Sequence, residues 1–79
     1  MTLANTIAEA KLKEIVAEYN KLQEGEKNEI IITVIDIIEQ YKCSYAIAWS
    51  VMKLLERNLQ KHQFNAIYQR GKLIIHLEK

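Results

Sequence analysis

Between Ser44 and His62 the apolar residues Ile47, Ala48, Val51, Leu54, Leu55 and Leu59 recur three and four positions apart, the spacing of one helix face. At about 100° per residue, the other side of that helix carries Ala46, Trp49, Ser50, Lys53 and Arg57. An amphipathic core helix accounts for the first face. It leaves the tryptophan and the two cations of the second unexplained, and that face therefore predicts a binding surface. Ser44 is a good N-cap, so the helix is expected over residues 44–61.

Residues 2–23 predict an earlier helix. Ala4, Ala8, Leu12, Ile15, Tyr19 and Leu22 form a stripe with steps of four and three, and Glu9, Lys11, Lys13, Glu14, Glu18 and Lys21 lie off it. Its start is set either by a capping box of Thr6 and Glu9 or nearer Thr2. The stripe either packs on the chain's own core or pairs with the same helix of a second chain. QEGEKN, Gln23 to Asn28, breaks the pattern, with Gly25 as a C-cap and Asn28 as the next N-cap.

The stretch from Asn28 to Tyr41 carries two signals. IIITVI is β-branched and would suit a buried strand. Glu29, Thr33, Asp36 and Gln40, however, recur every three or four residues. The expectation is one helix over 28–41, with Ile30, Val34, Ile37, Ile38 and Tyr41 on its buried face, lying centrally between the other two. Lys42-Cys43-Ser44 is then a very short turn between helices. Cys43 is either a small buried filler or a partly exposed thiol.

After Gln63 the period changes. Leu73, Ile75 and Leu77 alternate with Ile74, His76 and Glu78, and Phe64 to Tyr68 is short and β-prone. Gln69-Arg70-Gly71-Lys72 between them reads as the tight turn of a C-terminal β-hairpin with two cations at its tip. The fold class expected is α+β: three helices followed by a hairpin.

Composition fits one small domain. A chain of 79 residues buries only about 60–65% of its unfolded surface, so its core must be dense, and 49% hydrophobic residues with no proline allow that. The chain has no run of about 18 apolar residues and no basic-then-apolar start, so neither a membrane span nor a secretion signal is expected. The single cysteine excludes an internal disulfide and points to a reducing, cytoplasmic setting.

The net charge of +1 hides an asymmetry. Residues 1–40 hold four lysines against eight acids, whereas between Tyr41 and Leu73 Glu56 is the only acid against six cations. Either the basic half meets a polyanion, or the halves attract each other within the fold. His62 and His76 have no Cys, His or Asp at ligand spacing, so no metal is expected. The chain also shows no glycine-rich phosphate loop and no nucleophile with an evident base. The expectation is a non-enzymatic protein with no cofactor.

Helix, helix, short turn, helix and basic-tipped hairpin together resemble a winged helix-turn-helix domain across nearly the whole chain. Many such domains have a strand between the first two helices, which the polar linker QEGEKN does not predict, and the second helix predicted here is longer than theirs. The turn KCS also lacks the glycine often found there. The resemblance implies double-stranded DNA as the partner and a small transcriptional regulator as the role. The third helix would enter the major groove with Ser44, Tyr45, Ala46, Trp49, Ser50, Lys53 and Arg57, and the wing Arg70, Gly71 and Lys72 would reach phosphates or the minor groove. The cations would neutralise phosphates. Alternatively, Arg70 and Lys72 merely keep a hairpin soluble.

A chain of this size covers little DNA alone, which predicts a homodimer, with Leu12, Ile15, Tyr19 and Leu22 of the first helix as candidate contacts. The alternative is a protein-interaction module, an inhibitor or adaptor, that docks its partner on the Trp49 face and uses the acidic first helix.

Overall fold

The computed structural model describes residues 3–79. It is an α+β fold of three helices and one antiparallel sheet: α1 (Leu3–Lys21), β1 (Lys27–Thr33), α2 (Val34–Tyr41), α3 (Tyr45–Lys61), β2 (Asn65–Gln69) and β3 (Lys72–Glu78). The predicted C-terminal hairpin is β2–β3, and β1 joins its other side to give the order β1-β3-β2.

The largest departure from expectation lies in residues 28–41, which form a strand and a short helix rather than one helix. Glu29, Ile31 and Thr33 alternate with Ile30 and Ile32, and β3 supplies the partner that lets this β-branched run extend, with Ile30 opposite Ile75, Ile31 opposite Ile74 and Ile32 opposite Leu73. Thr33 ends the strand and caps the next helix. Its backbone is extended (φ −106°, ψ 163°), its hydroxyl accepts from the Asp36 N–H at 3.1 Å, and the Asp36 carboxylate accepts from the Thr33 N–H at 2.9 Å. The three-to-four spacing of Glu29, Thr33, Asp36 and Gln40 thus spans an element boundary. Asn28 lies inside β1 and caps no helix. The strand missing from the sequence reading between the first two helices is present, and α2 has only eight residues.

Two boundaries near α1 also differ. Thr6 lies within α1, so a Thr6–Glu9 box does not start it; Thr2 falls outside the described residues. Gly25 follows the helix end by four residues and sits in a turn closed by Glu26 N–H to Gln23 C=O at 2.9 Å. Its φ of +86° is what the third position of such a turn demands, and glycine reaches it without strain.

α1 packs along α3, and α3 in turn packs against β2 and α2. Fully buried in the core are Met52, Leu55 and Leu59 of α3, Ile37 of α2, and Leu73 and Ile75 of β3. Met52, off the apolar stripe read from the sequence, is completely buried, as is most of Ile7 on α1. The Cys43 sulfur is half-buried, 3.9 Å from the Ile37 carbonyl, as a small filler of the α2–α3 turn.

A polar triangle ties α1 to α2. Lys11 Nζ lies 2.9 Å from Glu14 and 2.8 Å from Gln40 Oε1, and Gln40 Nε2 donates to Glu14 at 2.9 Å. The Lys11 ammonium, helped by Gln40, holds the Glu14 carboxyl below its ordinary value, outweighing the opposing effect of burial. A carboxylate whose pKa is depressed on folding stabilises the fold above its unfolded pKa, and that stabilisation is lost as pH falls through the folded pKa. The gap in thermal midpoint between the native chain and Glu14→Gln should therefore close below about pH 4.5, a small effect because Glu14 is half exposed.

Candidate nucleic-acid interface

Lys42, Cys43 and Ser44 alone separate α2 from α3. Lys42 takes the left-handed conformation (φ 53°), and its N–H closes α2 on the Ile38 carbonyl at 2.8 Å. The chain then turns at once into α3, whose first turn is held by the Ser44 hydroxyl accepting from the Ile47 N–H at 3.2 Å. This short connection fixes the direction in which α3 leaves α2.

With Ala48, Val51, Met52, Leu55 and Leu59 turned inward, Tyr45, Ala46, Ser50, Lys53 and Arg57 are exposed. The small residues Ala46 and Ser50 leave the middle of this face low, and the Ser50 hydroxyl is spent on the Ala46 carbonyl at 3.2 Å. Trp49 is only half exposed. It meets Tyr45 edge-on at 6.3 Å and Tyr68 of β2 at 5.4 Å, with the Lys53 ammonium 5.8 Å from its ring. The tryptophan that the core face could not explain thus has a structural partner: it seats the hairpin against α3.

Glu56 adds a second fastening. Its carboxylate accepts from the Tyr68 backbone N–H at 2.7 Å, and Gln60, one turn on, donates to the Ala66 carbonyl at 3.1 Å. Both bonds go to the edge of β2 that β3 leaves free, so the lone acid of the basic stretch holds the hairpin. The Tyr68 hydroxyl is buried without a hydrogen bond; burial, and then the charges of Tyr45 and Glu56, raise its pKa. Glu56→Ala should lower stability by about 1–2 kcal/mol and speed exchange of the Tyr68 amide, while Glu56→Gln, which keeps an acceptor, recovers part of the loss. Denaturant melts and amide exchange read both effects.

The hairpin turns through two residues, Arg70 (φ 53°) and Gly71 (φ 77°). Positive φ at both positions matches the right-handed twist of the strands. Arg70 stands at the tip, and Lys72, opposite Gln69, opens β3. Among the described residues the ion pairs are Lys11–Glu14, Lys21–Glu18, Lys27–Glu78 and His76–Glu29. None uses Lys53, Arg57, Arg70 or Lys72. The basic segment is therefore not neutralised by ion pairs to the acidic first half.

The stripe on α1 is placed differently from a free contact surface. Ile15 is 2% exposed and belongs to the core. Leu12, Tyr19 and Leu22 pack partly against that core, with Tyr19 edge-on to Phe64 at 5.4 Å and under the Lys79 ammonium at 5.1 Å.

Trp49, Lys53, Glu56 and Gln60 follow one another at steps of four, three and four, so the stripe that grips the hairpin is visible in the sequence. What it grips, the edge of β2, is not. Among the described residues no cluster of three or more His, Cys, Asp and Glu could hold a metal ion, and no helix is long and apolar enough to cross a membrane. No protein-family model, curated protein or solved structure matches the chain.

Proposed function

We propose that the chain is a non-enzymatic, winged helix-turn-helix DNA-binding protein of the cytoplasm, a small transcriptional regulator. In this reading α3 enters the major groove and the β2–β3 hairpin is the wing. The observation that carries it is the set of four cations, Lys53 and Arg57 on α3 and Arg70 and Lys72 on the hairpin, exposed and outside every ion pair among the described residues. They belong to two elements that Trp49, Tyr68 and Glu56 lock together. Their charges are available to phosphates, while Ala46 and Ser50 leave room for base edges.

Anisotropy of a labelled random duplex, followed together with Trp49 fluorescence, tests the reading. With about four phosphate contacts, affinity should fall by about two decades between roughly 50 and 200 mM salt. A chain that binds no duplex even at the lower salt is not a DNA-binding protein.

A second reading, a protein partner on the same helix, is favoured by one feature. A shallow, open depression between the start of α1 and α3 is lined by the apolar Leu3, Ala4, Ala46, Ile47 and Leu54 together with Asn5, Ser50 and Lys53. Binding there would depend on apolar contact and respond weakly to salt.

A further inference from the structure

The two edges of the sheet are finished differently. At the β2 edge, Tyr68 N–H and the Ala66 carbonyl are taken by Glu56 and Gln60, so residues 66 and 68 turn their main-chain groups away from β3. Antiparallel bonding alternates, so β3 bonds β2 through Lys72, Ile74 and His76, and bonds β1 through Leu73, Ile75 and Leu77. The β1 partners of those three are Ile32, Ile30 and Asn28. Lys27, Glu29, Ile31 and Thr33 must then face outward. The Thr33 N–H is taken by Asp36, as this phase requires. The main-chain groups of Glu29 and Ile31 have no partner among the described residues.

An uncovered strand edge is a template for another strand. This one also presents apolar surface. Ile67, Ile74 and Ile31 stand opposite one another in a row across the outer face, with Ile67 52% and Ile31 50% exposed, and the row runs out to the open edge.

We infer that β1 is the interface between two copies of this chain, paired antiparallel about a two-fold axis that passes through Ile31 perpendicular to the sheet. The sequence of the strand selects both the occupant and the register. Outward-facing residues must oppose outward-facing residues. Centring on Glu29 would set two carboxylates directly opposite each other, and centring on Ile30 would set each Ile31 against a carboxylate. Centring on Ile31 opposes Ile31 to Ile31, Ile30 to Ile32 and Glu29 to Thr33. The row becomes six isoleucines long, and Lys27 of each copy comes alongside the α2 of the other, where Asp36 and Glu39 line the groove beside β1.

The resulting sheet has six strands, with both copies of α3 on one side and the hairpins at its two ends. This inference does not rest on the DNA-binding reading. A joint between two seven-residue strand edges is small, so the dimer forms with rising concentration.

Sedimentation equilibrium from about 10 μM to 1 mM, with amide exchange at both ends of that range, tests it. A monomer–dimer equilibrium is expected, and the amide of Ile31, opposite its own copy, should exchange about tenfold more slowly when about nine in ten chains are paired. Ile31→Lys, at a half-exposed position, should remain folded by circular dichroism and stay monomeric throughout. Ile67→Lys, at the far end of the row, should still dimerise. A chain monomeric at the highest concentration overturns the inference. So does a dimer in which the Ile31 amide stays unprotected, or one that Ile67→Lys abolishes and Ile31→Lys does not.

Discussion

Replacing Arg70 and Lys72 together with alanine should roughly halve the salt dependence of duplex binding. Four phosphate contacts give a slope of affinity against salt of about −3.6 on logarithmic axes, and two contacts give about −1.8. Over a fourfold change in salt, the native chain should lose about two decades of affinity and the double variant about one. Arg70 is the turn residue and Lys72 the first residue of β3, both exposed and neither in an ion pair among the described residues. Their removal should leave the thermal midpoint nearly unchanged, because alanine at the positive-φ position of Arg70 meets the same Cβ strain that arginine already carries. Unchanged affinity and slope would remove the hairpin from the interface. An equal loss on specific and random duplexes would assign both residues to phosphates rather than bases.

The second large effect is expected at Ile15. Truncation to alanine should cost about 2–5 kcal/mol, because a 2% exposed isoleucine leaves a cavity where it stood. Domains of this length have total stabilities of about 4–12 kcal/mol, so a polar residue such as asparagine there should leave little folded chain. Urea melts of Ile15→Ala and Ile15→Asn measure this directly. If Ile15→Asn instead folds with near-native stability, Ile15 is not part of the interior. Tyr19, half-buried between Phe64 and Lys79, should show a smaller loss.

Much of the candidate interface was legible in the sequence because its information is local. Ser44 caps α3 through its own hydroxyl and the Ile47 N–H three residues away. The exposed face Ala46, Ser50, Lys53 and Arg57 follows from 3.6 residues per turn once the opposite face is apolar. Gly71 in a short turn between two β-prone runs gave the hairpin and its basic tip. Trp49 is out of place on a solvated face, but its partner, Tyr68, lies nineteen positions away on a strand whose approach α3 cannot specify by itself.

Residues 28–41 show where local reading stops. Each polar spacing there is consistent with a helix, and each β-branched residue with a strand. The choice belongs to β3, which offers Leu73, Ile74 and Ile75 opposite Ile32, Ile31 and Ile30, and to Thr33, whose side chain starts a new helix where the ladder ends. The sequence by itself determined the α1 and α3 periods, the cap at Ser44, the alternation of the hairpin and the separation of charge, because these depend on residues within one or two turns of each other. Only the tertiary structure decided that Ile30–Ile32 form a strand, that Ile15 is interior, that Glu56 and Gln60 close one sheet edge, and that the edge at Glu29 and Ile31 is left open. Those outcomes depend on which segments meet across the core, and a backbone amide finds its partner there by distance in space rather than along the chain.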